Sequence, residues 1–246
     1  MYSIARPVRF PSHKIGLVER RIARALREAG QPSLTSGLAT LHHFPNGPLM
    51  QQVVNSLTVN ETYFYRELEQ LKVLCRNLLP SINRPAGPLR VLSLPCSTGE
   101  EPYSIAIYCS DNLLASLVPR LQITAADIDS AALKKAKAGV FGDCAASRLP
   151  GHVMKRFFRP VSDGSGNFQI DPKLAKSINF ANANLLDPAI SRQFRMFDVI
   201  FCRNVLIYFD ARAKQTAISN MYQMLRPGGV LLLGYAEQLA KTDALF

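Results

Sequence analysis

From residue 89 onward the chain alternates short apolar runs with longer amphipathic ones. Leu89-Arg-Val-Leu-Ser-Leu94 and Phe197-Asp-Val-Ile-Phe-Cys202 read as buried strands, and 121–126, 177–182 and 229–234 repeat the pattern. Between them, helical stretches fall at roughly 101–115, 129–138 and 211–225. Strands alternating with helices imply an α/β fold with a mostly parallel, doubly wound sheet.

The first third is patterned differently. Residues 14–29 place Ile15, Val18, Ile22, Ala25, Leu26 and Ala29 on one helical face. Arg20, Arg24 and Arg27 gather on the opposite face, with Arg21 at its edge. Gly30 and then Pro32 mark the stop. The basic face reads either as a solvated surface or as a docking surface for an acidic helix. Residues 33–80 read as helical, broken by the loop Phe44-Pro-Asn-Gly-Pro48. The breaker-rich stretch 82–88 is the linker, which divides the chain into an N-terminal helical domain (1–81) and a sheet domain (89–246). One insertion interrupts the sheet domain. Asp163-Gly-Ser-Gly166 between apolar residues signals a hairpin, so 156–180 is expected to form a small antiparallel flap. Only twelve residues follow the last strand, leaving an edge that invites pairing unless something covers it.

The 246 residues are 48% apolar, enough for a sizeable packed core. No run approaches a transmembrane helix in length, so no membrane insertion is expected. The start, Met1 to Phe10, lacks the continuous apolar core of a secretory signal. Five scattered cysteines without a CxxC pair argue against a disulfide framework or a zinc site and fit a reducing cytoplasm. Lys plus Arg outnumber acidic residues 29 to 18, a net charge of +11. That surplus favours an acidic partner without choosing between nucleic acid, anionic lipid and an acidic protein surface.

Candidate chemistry lies just past the carboxyl ends of the strands, where open α/β sheets bind ligands. Cys96-Ser-Thr-Gly-Glu-Glu-Pro-Tyr103 leaves the first strand with one glycine and no Walker lysine, which argues against a phosphate cradle. Two adjacent carboxylates at a helix start also suit its positive end. Asp127-Ile-Asp129 ends the second strand. Asp127 is placed to accept from the hydroxyls of an adenosine ribose, and Asp129 to cap the following helix. Asn184-Leu185 ends the third strand, and such a pair alone carries no meaning. The fourth strand runs into Phe201-Cys-Arg-Asn-Val-Leu-Ile-Tyr-Phe-Asp210. Its Arg203-Asn204-Val-Leu departs from the Asn/Asp-Pro-Pro-Tyr pattern of base and glutamine methylation, and Tyr208 by itself reads as core rather than catalytic. Asn60-Glu-Thr-Tyr-Phe-Tyr-Arg66, in the helical part, reads by itself as a capped helix start.

Together these segments resemble the chemotaxis-receptor glutamate O-methyltransferases, from about His13 to Glu237. The resemblance implies a Rossmann-like methyltransferase sheet, a small N-terminal helical domain and a small antiparallel β flap. It implies S-adenosylmethionine as cofactor and S-adenosylhomocysteine as product. Among the paired acids it selects Glu101 as a cofactor contact, beside Asp127, Asn184, Leu185, Arg203 and Asn204. It also matches Asn60, Thr62, Phe64 and Arg66 to a segment that folds over the cofactor. The implied partner is the cytoplasmic domain of a methyl-accepting receptor, with no nucleic acid. A glutamate is already ionised at neutral pH, so its transfer needs no general base. Arg66 suits a carboxylate by its planar fork, and Tyr208 suits orientation of the substrate carboxylate. Arg20, Arg24 and Arg27 are then the receptor-docking face. A nucleic-acid methyltransferase and a non-catalytic cofactor- or receptor-binding module are the alternatives.

Overall fold

The computed structural model describes residues 15–82, 87–146 and 149–238. Five parallel strands form the main sheet: β1 (Leu89–Ser93), β2 (Leu121–Asp127), β6 (Ile178–Asn182), β7 (Phe197–Cys202) and β8 (Leu225–Leu233). Their spatial order is β6-β2-β1-β7-β8. The order reverses beside β1, so the crevice between the exits of β1 and β7 is a topological switch point. Every residue of β7 is buried, which is why its sequence is an unbroken apolar run apart from Asp198. Asp198 accepts the β1 amide of Arg90 at 2.7 Å through one oxygen and pairs with the Arg226 guanidinium through the other, so this buried charge is compensated.

Helices cover both faces. One core contains Val91, Ile105, Ile123, Val199 and Phe201; the other contains Leu92, Ile200, Leu206, Ile218 and Met221. The alternation of neighbours between the two lists is the period of two of a strand packed on both sides. The helix Glu100–Asn112 supplies the first face and Ala211–Met224 the second.

The flap is a separate antiparallel sheet of β3 (Val140–Phe141), β5 (Phe168–Ile170) and β4 (Phe158–Pro160), in that order. It differs from the expected 156–180 hairpin at both ends. The two-residue strand β3 joins it from before that span, and 172–176 is a short helix capped by Asp171, which leads into the main sheet. Two residues of strand are too few for periodicity to reveal.

At the N-terminal end the helix Ile15–Glu28 closes at Gly30, where Gln31 N–H donates to Leu26 O and Gly30 N–H to Arg27 O. It shares a small core with the helices Leu34–His43 and Pro48–Leu57, built on Leu26, Leu41, Leu49 and Val53. Ile15, expected on the apolar face, is exposed. The helical reading of 33–80 needs correction. Residues 58–67 form no helix, and helical structure resumes only at Leu68. Phe64, Leu71, Leu74 and Leu79 pack into the core beneath the main sheet rather than into the N-terminal cluster. Residues 83–86 of the expected linker, and the chain start, lie outside the described residues.

Candidate active site

Three turns meet at the carboxyl ends of β1, β2 and β7, and residues 58–67 cross over them. Among the described residues, five that are not glycine have positive φ: Tyr65, Glu67, Ser97, Met196 and Asn204. All but Met196 lie in these turns or in the crossing segment. A left-handed residue costs about 1–2 kcal/mol, so the clustering marks backbone held in place by its surroundings.

The turn after β1 is bare by necessity. Gly99 has φ +101°, and a Cβ there would sit 2.9 Å from that of Ala136. The two acids that follow separate in role. Glu100 accepts from the Thr98 hydroxyl at 2.6 Å, and burial pushes its carboxyl up. Glu101 turns towards the sheet, accepting from Ser93 Oγ at 2.7 Å and from Arg203 Nη1 at 2.9 Å. Burial raises the Glu101 carboxyl too, and the Arg203 charge opposes that rise.

Arg203 is buried and is the hub of the β7 exit. Besides Glu101, it donates from Nε to Glu67 Oε2 at 3.2 Å and from Nη2 to Arg66 O at 2.7 Å. Its guanidinium therefore binds the crossing segment to the sheet. Glu67 carries the same tie onward, accepting from Tyr235 N–H at 3.2 Å.

At the β2 exit, Asp127 is buried and accepts from Ser97 N–H at 2.7 Å and Asp129 N–H at 2.8 Å, one bond per oxygen. Burial raises its carboxyl, and those two N–H groups pull it back. One lone pair per oxygen is left for a further donor. Asp129 caps the helix Ser130–Ala138 through Ala131 and Ala132 N–H, as expected. Its other oxygen does more: it accepts from Thr58 Oγ1 at 2.5 Å and Asn60 Nδ2 at 2.8 Å. Asn60 Oδ1 in turn accepts from Ser97 Oγ at 3.2 Å, so Asn60 bridges the β1 and β2 turns. The helix Pro48–Leu57 is tied to the same place, Gln51 donating to Ile128 O and Asn55 to Ser130 Oγ.

The other expected residues follow β6 or β7 or lie in the crossing segment. Asn184 is exposed and accepts from Leu186 N–H, and Leu185 is buried in the core. Thr62 is partly exposed. Arg66 Nη1 donates to Glu61 O at 2.9 Å, and its guanidinium lies 5.6 Å from the centre of the Tyr63 ring. Tyr208 ends a single 3-10 turn and is 44% exposed, so it is not a core aromatic. Burial pushes the Cys96 and Cys202 thiols well above their usual range, which rules out either as a thiolate nucleophile at neutral pH.

Sequence reasoning missed Glu67, Ser93, Thr58 and Glu237. Glu237 is buried and accepts backbone N–H groups from Asn204, Val205, Leu206 and Gly234. No local pattern signals them: Thr58, Glu67 and Glu237 find partners far along the chain, and Ser93 meets Glu101 across the turn after β1. A cavity of about 790 Å³ lies elsewhere, lined by Tyr63, Tyr65, Tyr108 and His152.

A parallel sheet of this order, with polar turns at a switch point and a segment folded across them, defines a doubly wound α/β enzyme of the nucleoside-cofactor type. A family model described as "CheR methyltransferase, SAM binding domain" matches residues 60–246. The chain belongs to the CheR methyltransferase family and is an S-adenosylmethionine-dependent methyltransferase. It is 36% identical over 239 residues to a chemotaxis protein methyltransferase 2 of Vibrio cholerae, covering 96% of this chain and 82% of that one. It is 34% identical over 238 residues to a chemotaxis protein methyltransferase of Escherichia coli (strain K12), covering 95% and 80%. Among solved structures, the DszA carbon methyltransferase is similar at a TM-score of 0.42 and 17% identity, over 88% of this chain and 46% of that one. No helix among the described residues is long and apolar enough to cross a membrane.

The donor set fits the cofactor. Asp127 has one lone pair free on each oxygen, as a ribose hydroxyl would need, the turn at Ser97–Gly99 is bare, and exposed Asn184 has its amide nitrogen to donate.

Proposed function

We propose that this chain esterifies glutamate side chains on the cytoplasmic helices of a methyl-accepting chemoreceptor, acting in the cytoplasm. The observation that carries this reading is Arg66. Among the described residues its guanidinium meets no carboxylate; it rests on one carbonyl and one ring in the segment that crosses the strand ends. A cation left available at the rim of a methyl-transfer site suits an anionic acceptor.

Bound S-adenosylmethionine supplies an electrophilic methyl group on a sulfonium. Asn60, Thr62, Arg66, Glu101, Asp127, Asn184, Leu185, Arg203 and Asn204 are assigned to hold it. Asp127 takes the ribose side and Asn184 with Leu185 the adenine side. Glu101 and Arg203 act by fixing each other and the segment above, since their charges are already paired. Arg66 positions the substrate carboxylate without neutralising it, which preserves its nucleophilicity. Tyr208 orients the same carboxylate from the other rim. The methyl group that the cofactor would supply would be taken by a carboxylate oxygen that Arg66 and Tyr208 hold in place. No proton is moved, so the absence of a base is consistent with the chemistry, and alignment and exclusion of water are what the protein supplies.

Arg20, Arg24 and Arg27 are assigned to receptor docking. All three are exposed on the face away from Leu26. Arg24 pairs with Glu28 at 2.7 Å, an exposed contact that a partner's acid can displace at little cost. Incubation with methyl-labelled cofactor and purified receptor cytoplasmic fragments tests the proposal. The expected product is a base-labile glutamyl ester. Base-stable label in nucleic acid, or cofactor binding with no transfer, would overturn it.

A further inference from the structure

The turn that carries Asn204 and Tyr208 is shaped by a carboxylate from the far side of β8. Asn204 has φ +58°, and this left-handed step aims the N–H groups of Asn204, Val205 and Leu206 to one side as a nest. Glu237 fills the nest. Its Oε1 accepts from Val205 at 2.8 Å and Leu206 at 2.7 Å; its Oε2 accepts from Asn204 at 2.7 Å and Gly234 at 3.0 Å. Four charge-assisted bonds to one buried carboxylate are a large commitment for a surface turn.

The packing around it is tight. A Cβ on Gly234 would lie 2.9 Å from Glu237 Oε2 and 3.0 Å from Asn204 Nδ2. Beyond the nest the chain makes its 3-10 turn, Tyr208 N–H closing on Val205 O at 3.1 Å, and presents Ile207 and Tyr208 to solvent. Arg203, just before the nest, is held by Glu67 and Glu101. The β7 exit is therefore clamped on both sides: by the crossing segment through Arg203, and by the β8 exit through Glu237. The same β8 exit holds the crossing segment through Tyr235 N–H on Glu67, and the helix after it through Gln70 Nε2, which donates to Leu233 O at 2.6 Å.

We infer that Glu237 is a positioning residue for methyl transfer, which sets the turn that places Asn204 against the cofactor and Tyr208 against the acceptor. The inference rests on the assignment of Asn204 and Tyr208 to the site. Glu237 touches neither cofactor nor acceptor and acts only through the backbone of 204–206. A glutamine at this position has the same size and can accept through one atom only. Its amide nitrogen then opposes the N–H groups of Asn204 and Gly234, donor against donor. Releasing that half of the nest lets the turn relax by a fraction of an ångström.

The test compares the full-length parent with Glu237→Gln, Glu237→Asp, Asn204→Ala, Tyr208→Phe and a core control, Ile218→Val, each shown folded by circular dichroism. The readouts are S-adenosylhomocysteine affinity by calorimetry, and kcat and KM on a purified receptor cytoplasmic fragment, all well below the melting midpoint. Misplacement of about 1 Å costs up to ~100-fold in rate, so E237Q is expected to lose about 10- to 100-fold in kcat and about 10-fold in cofactor affinity. KM for the receptor fragment should stay within about 2-fold, because Glu237 bonds to the backbone of 204–206 and of Gly234 and not to Arg20, Arg24 or Arg27. E237D keeps the charge and should recover part of the loss. A purely structural role predicts a lowered melting midpoint with kcat and affinity equal to those of I218V, and that result overturns the inference. Should E237Q not fold, E237D alone decides it: parent-like kcat and affinity overturn it, and reduced values support it. If N204A and Y208F both behave as the parent, the site assignment is what fails. An E237Q defect in that case overturns the inference as well, because Glu237 would then act through something else.

Discussion

The Glu67 carboxylate meets the buried Arg203 guanidinium at 3.2 Å across 136 residues of chain. This contact, with Arg203 on Glu101, fastens the segment 58–67 onto the exits of β1 and β7. The first prediction tests it. Glu67→Ala leaves Arg203 with Glu101 and one carbonyl, and strands Tyr235 N–H. Stability should fall by about 1–3 kcal/mol in urea unfolding. A loss within a few tenths of a kcal/mol would mean that the segment is held without Glu67, by the Thr58 and Asn60 bonds to Asp129 and the packing of Phe64.

Asp127→Ala removes both the acceptor for the Ser97 and Asp129 amides and the ribose contact assigned to it. S-adenosylhomocysteine binding should weaken by about 1–3 kcal/mol. Calorimetry on the folded variant checks this, and unchanged affinity would take Asp127 out of the site.

Arg66→Ala should abolish most transfer and leave a folded protein, because its guanidinium rests on one carbonyl and one ring at the surface. A fall in kcat of about 100-fold is expected from lost alignment. Tyr208→Phe removes only the hydroxyl of an exposed side chain, so any loss of rate there reports on chemistry rather than packing. Near-normal turnover in both variants would reduce these residues to surface.

Changing Arg20, Arg24 and Arg27 together to Ala removes exposed charge and leaves the Leu26 contacts intact. The apparent KM for receptor should rise while cofactor affinity holds. Added salt should mimic the defect in the parent, since exposed charges are screened over about 8–10 Å at physiological ionic strength. Coincident parent and variant curves at low salt would make the helix a solvated face.

Glu100 yields a pH prediction. Burial raises its carboxyl above the ordinary 4.5, so between 4.5 and the raised value the folded chain binds more protons than the unfolded one. Its contribution to stability is present below 4.5 and is lost as pH rises through the raised value. Glu100→Gln lacks this term. Its stability relative to the parent should therefore improve from acidic to neutral pH, as read by urea unfolding at both. A difference that does not change with pH would mean that Glu100 titrates alike in both states.

Much of the architecture was legible because burial on both faces leaves a strong mark. A strand such as Phe197–Cys202 needs apolar side chains at nearly every position, and 121–127 and 178–182 carry enough of the same signal. The helix Ile15–Glu28 was legible from its stripe, and Asp129 from its place before an alanine-rich helix. The segment 58–67 was not. Thr-Val-Asn-Glu-Thr-Tyr-Phe-Tyr has no glycine or proline to break a helix, and the left-handed φ of Tyr65 and Glu67 falls on side chains that rarely adopt it.

The sequence by itself determined the order of strands and helices, and the four polar turns that follow the strands. These depend on residues within one or two turns of one another, which is the range over which periodicity and capping act. Only the tertiary structure decided how those turns are held. Arg203 has two carboxylate partners, Glu67 and Glu101, that lie far from it in sequence, and Glu237 reaches back 33 residues to Asn204. A buried charge takes whichever partner the fold brings within about 3 Å, and no local pattern records that choice.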